Sequence, residues 1–542
     1  MSFKKITAFG LAAALLAGCS STTASSGTSG SSESASTEIV AAIDADLNTM
    51  DYHVATDGTS FIMQTMCISG LTQLDESGVP IPDMAESWEI SDDGLTYTFH
   101  LREDAMWSDG TPVTAQDFVY GWQRLDDPEL ASEYAFLLSS CNVVNADEVF
   151  SGEKELSELG VEAADDHTFV VHLSLPCGFL LGLTAFPSFF PLNEAYYTSE
   201  GDQFALSTDD MIYNGPYEMT DWVAGNSYTF TKNDDYWNAD EVKTETVTFK
   251  FIQDTQSAML EYQSGNIDIV KLTGEQVDLY SGEEGFSNRL QAYGWRLEMN
   301  FNVEAISNYN LRKALGLAID RETIAEDVLK DGSVAADGFI PESFAYDENG
   351  VDFRETAGKL TEYDPEAAAE YYAKAVEELG GDVTLELLFE DSEASKAVAE
   401  NIQQMWQTNL PGITITLNSK PKKTRLELMN NLEYEIGLTR WGPDYADPQT
   451  FMDLYNSKTA AYNKSVFIDA YDELLEKAES GEDATDSAAR WQDMIDAERI
   501  LVVDEAAVIP VYQNGGAMMI NPDITGLAFH SAGVDSYRYM SK

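Results

Sequence analysis

Five histidines, four cysteines and 94 acidic residues are the side chains of this 542-residue chain that could carry acid–base, nucleophilic or metal chemistry. The histidines, His53, His100, His167, His172 and His530, form no HExxH zinc pair, and no GxSxG serine elbow, P-loop or Gly-rich dinucleotide fingerprint accompanies them. His100 and His172 fall in alternating, strand-like runs, where a solvent-facing or hydrogen-bonded imidazole is far commoner than a ligand or a base. The carboxylates mark out no acid/base pair of the kind glycoside hydrolysis needs. Of the cysteines, Cys67, Cys141 and Cys177 allow at most one disulfide, and no CxxC spacing suggests structural zinc. Cys141 with Cys177 is the pair if one exists; buried free thiols account for them equally well. The expectation is a protein that binds rather than catalyses, with no cofactor and no metal.

Cys19 is different in kind. It ends Leu16-Ala17-Gly18-Cys19, preceded by Lys4, Lys5 and an apolar run from Ile6 to Leu16 that is too short to span a bilayer as a mature anchor. The leader, residues 1–18, reads as a secretory signal. The stretch resembles the lipobox of bacterial lipoproteins, which implies cleavage after Gly18 and acylation of Cys19 through its sulfur and its amino group. Residues 19–37 that follow are nearly all Ser, Thr, Gly and Ala, too poor in apolar surface to fold. As a Gly/Ser coil of roughly 18 residues this tether has a mean reach of about 25 Å. The body beyond it is expected outside the cytoplasm, held at the outer face of the cell membrane.

That body is long enough for several lobes, and its hydrophobic content is that of a folded protein. With Lys4 and Lys5 removed, 29 basic residues face 94 acidic ones, a formal charge of −65. Nucleic acid is thereby disfavoured as a partner. The field attracts cations and cationic peptides, although its usual meaning is solubility.

The elements that must position any site come next. Trp88 to Arg102 reads as a hairpin: Asp93-Gly94 supplies the turn, and Leu95, Tyr97, Phe99 and Leu101 alternate onto one face. Thr114 is placed to cap a helix carrying Phe118, Val119 and Trp122. Phe169 to Leu173 and Tyr228 to Phe230 are further alternating strands. Beyond about residue 300 longer helices take over, with Leu311, Leu315, Ala318 and Ile319 following a cap at Asn310, and Phe467, Tyr471, Leu474, Leu475 and Ala478 forming a later stripe. Val383, Leu385 and Leu387 alternate as a strand; Val398, Ile402, Met405 and Trp406 form a helical stripe closed by Pro411-Gly412; Ile413, Ile415 and Leu417 alternate again. This is a βαβ unit and implies a parallel pair. The strand-like tail from Val508 to Met519 suggests a return to the first lobe, hence two α/β lobes joined by crossing strands.

The runs Gly70 to Asp75, Met84 to Trp122, Asn214 to Tyr217, Asn233 to Trp237, Tyr262 to Asp268, Leu311 to Asp320, Trp441-Gly-Pro-Asp-Tyr-Ala-Asp-Pro448 and Val508 to Tyr512 resemble the oligopeptide-binding proteins of peptide ABC importers, solute-binding protein family 5. The resemblance spans nearly the whole mature chain. It implies a two-lobed, periplasmic-binding-protein-like α/β fold with a hinge and an extra domain inserted in the first lobe, closing on a peptide. On this chain the first lobe would comprise 38–77, 201–301 and 508–542, the inserted domain 78–200, and the second lobe 302–507, with crossing strands near Leu297 to Asn302 and Val508 to Tyr512. The implied partners are oligopeptides and the permease and ATPase subunits of an importer, with the protein itself a monomer. Relatives that bind nickel complexes, haem or oligosaccharides, and a peptide sensor or adhesion lipoprotein without import, are the alternatives.

A protein that holds many peptides must recognise what all peptides share, their backbone and their ends. The resemblance assigns Asp444 to the ligand's α-ammonium, against the plainer reading of a turn aspartate in the Pro443-Asp444-Tyr445 bend. It places main-chain contacts at Arg440, Trp441 and Gly442 and at Thr56, Asp57 and Gly58, and adds Tyr445 to the site, with Trp441 also walling a pocket. Asp447, before Pro448, fits a structural role. Gly442 stands where enterobacterial members carry a disulfide cysteine, and Leu438 where they offer an arginine, so recognition of the ligand's carboxylate end stays open.

Overall fold

The computed structural model describes residues 38–347, 349–457, 465–480, 483–484 and 486–542, with residue 275 described in its backbone only. The leader 1–18, the tether 19–37 and Cys19 lie outside the described residues.

Three larger sheets and one two-stranded ribbon, Thr72–Leu74 with Pro80–Pro82, organise the described chain. The first has seven strands in the order Phe286–Ser287, Met518–Ile520, Ile269–Lys271, Glu38–Ile43, Thr246–Phe251, Ser227–Lys232 and Tyr217–Val223. Its central strand runs parallel to both neighbours, and the outer pairs are antiparallel. A four-stranded antiparallel sheet, Ala85–Ile90, Thr96–Leu101, Thr168–His172 and Val161–Asp165, lies within the segment expected as the inserted domain. Its first two strands are the expected hairpin: Gly94 takes the left-handed φ of +70° its turn needs, and Tyr97, Phe99 and Leu101 are buried. The helix Ala115–Leu125 packs on this sheet. Asp117 accepts from the Thr114 backbone N–H at 2.8 Å at the helix start, and Phe118, Val119 and Trp122 are buried. The strands at 169–173 and 228–230, alike in pattern, belong to different sheets.

The second large sheet orders Val334–Ala335, Val508–Gly515, Leu290–Met299, Ile436–Trp441, Thr384–Glu390 and Thr414–Lys420. Thr384–Glu390 and Thr414–Lys420 pair in parallel, joined by the helix Glu393–Asn409. Val398, Ile402 and Trp406 face the core from that helix, and the Trp406 indole donates to the Leu315 carbonyl at 2.9 Å. The cap of the helix Tyr309–Leu317 is Asn308 rather than Asn310: its side-chain oxygen accepts from the Leu311 N–H at 2.9 Å, while Asn310 donates to Glu378. Phe467, expected on the later helical stripe, precedes the helix Asp469–Glu479 and is exposed, whereas Tyr471, Leu475 and Ala478 are buried.

Leu290–Met299 and Val508–Gly515, which hold most of the segments expected as crossing strands, lie side by side in the second sheet, Leu297 opposite Ile509. Leu290–Met299 is bonded on its other side to Ile436–Trp441. The chain passes between the two large sheets at 287–290 and 515–518, where the Gly516 N–H donates to the Arg289 carbonyl at 2.6 Å.

Candidate functional site

The strand Ile436–Trp441 runs through the second sheet and delivers the turn Gly442 to Pro448 at its end. Thr450, on the short helix Gln449–Met452 that follows, draws the turn closed: its hydroxyl oxygen accepts from the Trp441 indole at 3.3 Å and from the Asp444 backbone N–H at 3.4 Å. Asp447 is anchored from outside. The Arg490 guanidinium, on the helix Ser487–Arg499, donates to both Asp447 oxygens at 2.7 and 2.9 Å and to the Gln449 side-chain oxygen at 3.1 Å. A two-pronged fork of this kind fixes direction as well as distance. Asp447 is therefore the structural carboxylate of the turn.

Asp444 is 9% exposed. One carboxylate oxygen accepts from the Tyr134 hydroxyl at 3.2 Å; the other, Oδ2, is buried without a hydrogen-bond partner. Burial pushes its carboxyl up to about 7, against the opposing effect of the Tyr134 hydroxyl. Next to it, Tyr445 lies flat on Phe179, ring centroids 3.9 Å apart and planes 8° from parallel. Tyr134 and Phe179 both come from the segment that carries the four-stranded sheet, so two contacts close over the turn from across the molecule.

Trp441, Asp444 and Tyr445 line a cavity of about 1690 Å³, with Glu133, Phe136 and Phe179 among the residues of its other walls. This exceeds the roughly 300–1,000 Å³ of ordinary small-molecule clefts and has room for a chain of several residues. Asp444 and Tyr445 also border a second cavity of about 410 Å³. An oxygen that has lost its water and found no donor costs free energy until a donor arrives, and a cation suits it best.

The other candidates sit elsewhere. Asp57 caps the helix Gly58–Cys67, its two oxygens accepting from the Ser60 N–H at 3.0 Å and the Ser60 hydroxyl at 2.8 Å. Neither it nor Thr56 nor Gly58 lines the large cavity. Arg440 and Gly442 are outside its lining too. Arg440 stands over the rings of Tyr293 and Trp295 at 4.8 and 5.6 Å, and a Cβ at Gly442 would overlap the Tyr293 ring, so close ring packing demands glycine there. Residues that sequence reasoning missed are Tyr134, Phe179, Asp453, Glu479 and Arg490, all on the cavity or on Asp444 itself. Only the side-chain packing of distant segments brings them together.

Cys67, Cys141 and Cys177 are buried free thiols. His53 is buried between the Arg124 guanidinium and the Phe190 carbonyl, and burial pushes its pKa down to about 3, so it stays neutral. His100 and His172 lie beside Glu89 and Glu162 on their strands. Among the described residues no group of three or more His, Cys, Asp or Glu side chains could hold a metal ion, and no helix is long and apolar enough to cross a membrane.

Set against known proteins, residues 79–463 match the sequence profile described as bacterial extracellular solute-binding proteins, family 5 Middle. The dipeptide-binding protein of Lactococcus lactis subsp. cremoris is 32% identical over 523 residues, covering 93% of this chain and 94% of its own length. Among solved structures, the substrate-binding domain of an oligopeptide ABC transporter from Bacillus anthracis superposes with a TM-score of 0.82 at 36% identity, covering 94% of this chain and 99% of that one. Listeria monocytogenes OppA bound to peptide gives 0.81 at 33% identity with the same coverage. The fold is thus mixed α/β and two-lobed, like theirs.

Proposed function

The chain belongs to the bacterial extracellular solute-binding proteins of family 5, and from that membership we propose that it captures peptides in the cavity beside Asp444 and delivers them to the membrane permease of an ABC importer. The observation that carries this reading is Asp444 itself, a residue that lines a cavity large enough for an oligomer and whose Oδ2 is buried without a hydrogen-bond partner. A peptide's α-ammonium supplies the missing donor and the opposite charge, and any peptide with a free amino end can do so. Trp441 and the stacked pair of Tyr445 and Phe179 give the ligand's chain apolar and main-chain surface beside that anchor. Acylation of Cys19 would hold the body at the outer face of the membrane, within reach of the permease. Mass spectrometry of ligand released from the purified protein tests the proposal: peptides with free amino termini are expected, and a sugar, a bile salt or a metal chelate would overturn it.

Two consequences follow from the raised carboxyl of Asp444. Binding an ammonium demands the charged form, so affinity for a free-amine peptide falls as pH drops below about 7, by up to about tenfold per unit. Calorimetric titrations at pH 8 and pH 5.5 check this, and equal affinity at the two would contradict it.

The second concerns stability without ligand. An aspartate raised from 3.8 to about 7 keeps its proton in the folded state while the unfolded chain has lost its own, so stability declines between those values and the penalty is complete above about 7. Asp444→Asn removes it. The ligand-free variant is expected to be more stable than wild type at pH 8 by on the order of 3 kcal/mol and equal to it below about pH 4, as read by denaturant midpoints. A variant less stable at pH 8 would refute the assignment of a buried, uncompensated charge.

A further inference from the structure

We propose that Cys141 and Cys177 form a redox site, a pair of thiols that closes to a disulfide in the wall of the large cavity. The inference goes beyond cargo capture and holds whatever the cavity carries.

Backbone pairing brings the two together. Val143 and Leu173 face each other in an antiparallel bridge; beside it the Val144 N–H donates to the His172 carbonyl at 2.9 Å and the Ser174 N–H to the Asn142 carbonyl at 2.8 Å. Cys141 and Cys177 lie beyond the same end of this short ladder, Cys141 at the close of the helix Phe136–Ser140 and Cys177 just after Leu175-Pro176. Their surroundings are shared. The Tyr97 hydroxyl donates to the Cys177 carbonyl at 3.0 Å, and burial, followed by the nearby Cys177 and Cys141 sulfurs, pushes that hydroxyl up to about 12. Burial, and after it the adjacent Cys177 thiol, likewise holds the Cys141 thiol well above its usual range.

The two sulfurs differ in access. Cys141 is fully buried, whereas Cys177 lines the large cavity. Cys67 is the contrast: its thiol donates to the Met63 carbonyl at 3.5 Å within its own helix, in the core and away from the cavity lining. A small disulfide, RSSR, therefore meets Cys177 first.

The oxidant is of that class, which an oxidising compartment outside the cytoplasm supplies. The Cys177 thiolate attacks one sulfur of RSSR, so that a Cys177–SR bond forms and RS⁻ leaves. Cys141 then gives its proton to solvent and attacks the Cys177 sulfur; the Cys141–Cys177 bond forms and the second RS⁻ leaves. Two cysteine thiols are oxidised and one RSSR is reduced to two RSH. The new bond closes a loop of about 36 residues and fastens the helix Phe136–Ser140 to the segment carrying Phe179. Phe136 and Phe179 both line the cavity, and Phe179 is the ring stacked on Tyr445. Oxidation thus stiffens the wall that meets the turn after Trp441.

The test treats the mature chain, Cys19 included, with oxidised glutathione at pH 8.5, where thiolates are favoured, and maps its peptides by mass spectrometry without reduction. A fragment joining Cys141 to Cys177 is expected, split by dithiothreitol, with the Cys67 thiol intact. The oxidised protein is expected to melt roughly 3–6 °C above the reduced one. Cys67→Ala keeps that difference and Cys177→Ser abolishes it; if Cys177→Ser does not fold, the wild-type map decides alone. Glutathione retained on Cys177 without a crosslink, a bond from either cysteine to Cys67 or Cys19 instead, or three thiols left free in the treated protein would each overturn the pairing. A crosslink that leaves the melting temperature unchanged or lowers it would overturn the stiffening of the wall.

Discussion

Asp444→Ala lowers affinity for a free-amine peptide by about two to four decades, because the ligand's ammonium is then enclosed without a counter-charge. The estimate is the cost of breaking one side of a buried ion pair, on the order of 3–5 kcal/mol. Tyr134 cannot take over: its hydroxyl donates to Asp444 Oδ1 at 3.2 Å, and a lone neutral oxygen does not balance a charge. The loss is read by calorimetry on wild type and variant with one peptide. Because removal of a buried carboxylate relieves desolvation, the variant keeps its fold, and a ligand-free thermal transition no lower than that of wild type separates lost binding from lost structure. An affinity within about threefold of wild type would place the ammonium elsewhere.

Arg490→Met destabilises the protein by about 3–5 kcal/mol, the second large effect expected. Asp447 is 9% exposed, and among the described residues its charge without the fork retains only the Gln449 backbone N–H, which donates at 2.9 Å. The damage extends to the site. Asp447, Gln449 and Thr450 form one turn, and Thr450 holds the backbone N–H of Asp444 and the indole of Trp441. Peptide affinity falls along with the denaturant midpoint. Replacing both partners, Arg490→Met with Asp447→Leu, removes the stranded charge and recovers much of the stability, since an apolar pair of similar size has no desolvation to offset. A single variant as stable as wild type would show that the fork is ornamental.

Local chemistry made a good part of this architecture legible. The Asp93-Gly94 hairpin, the Thr114 helix start and the parallel unit built on 383–417 all depend on neighbours within about thirty residues, where periodicity and turn chemistry act directly. The turn at 441–448 could be singled out because its residues are contiguous. Legibility failed in two ways. One was a choice between equivalent local signals: Asn308 and Asn310 can both cap, and the helix starts where Leu311 falls on the buried side. Asp57 carried a cap pattern as well, with Ser60 three residues on, and its carboxylate serves that helix rather than the large cavity. The other failure was of distance. Tyr134 meets Asp444 across 310 residues, and Arg490 meets Asp447 across 43. No periodicity links such pairs; they are set by how the sheets pack. The pairing of Leu290–Met299 with Val508–Gly515 is likewise long-range, since strand patterning does not say which strand lies beside which.

The account rests on a charge at 444 recognising the amino end of a bound chain, and a thermodynamic cycle isolates that pair: wild type and Asp444→Asn, each titrated with one peptide in its free and N-acetylated forms at pH 8. Acetylation is expected to weaken binding to wild type by at least about a hundredfold and to leave the variant's affinity nearly unchanged, a coupling of about 2.7 kcal/mol or more between carboxylate and ammonium. Acetylation that weakens both proteins equally, or neither, would show that Asp444 does not meet the peptide's amino terminus.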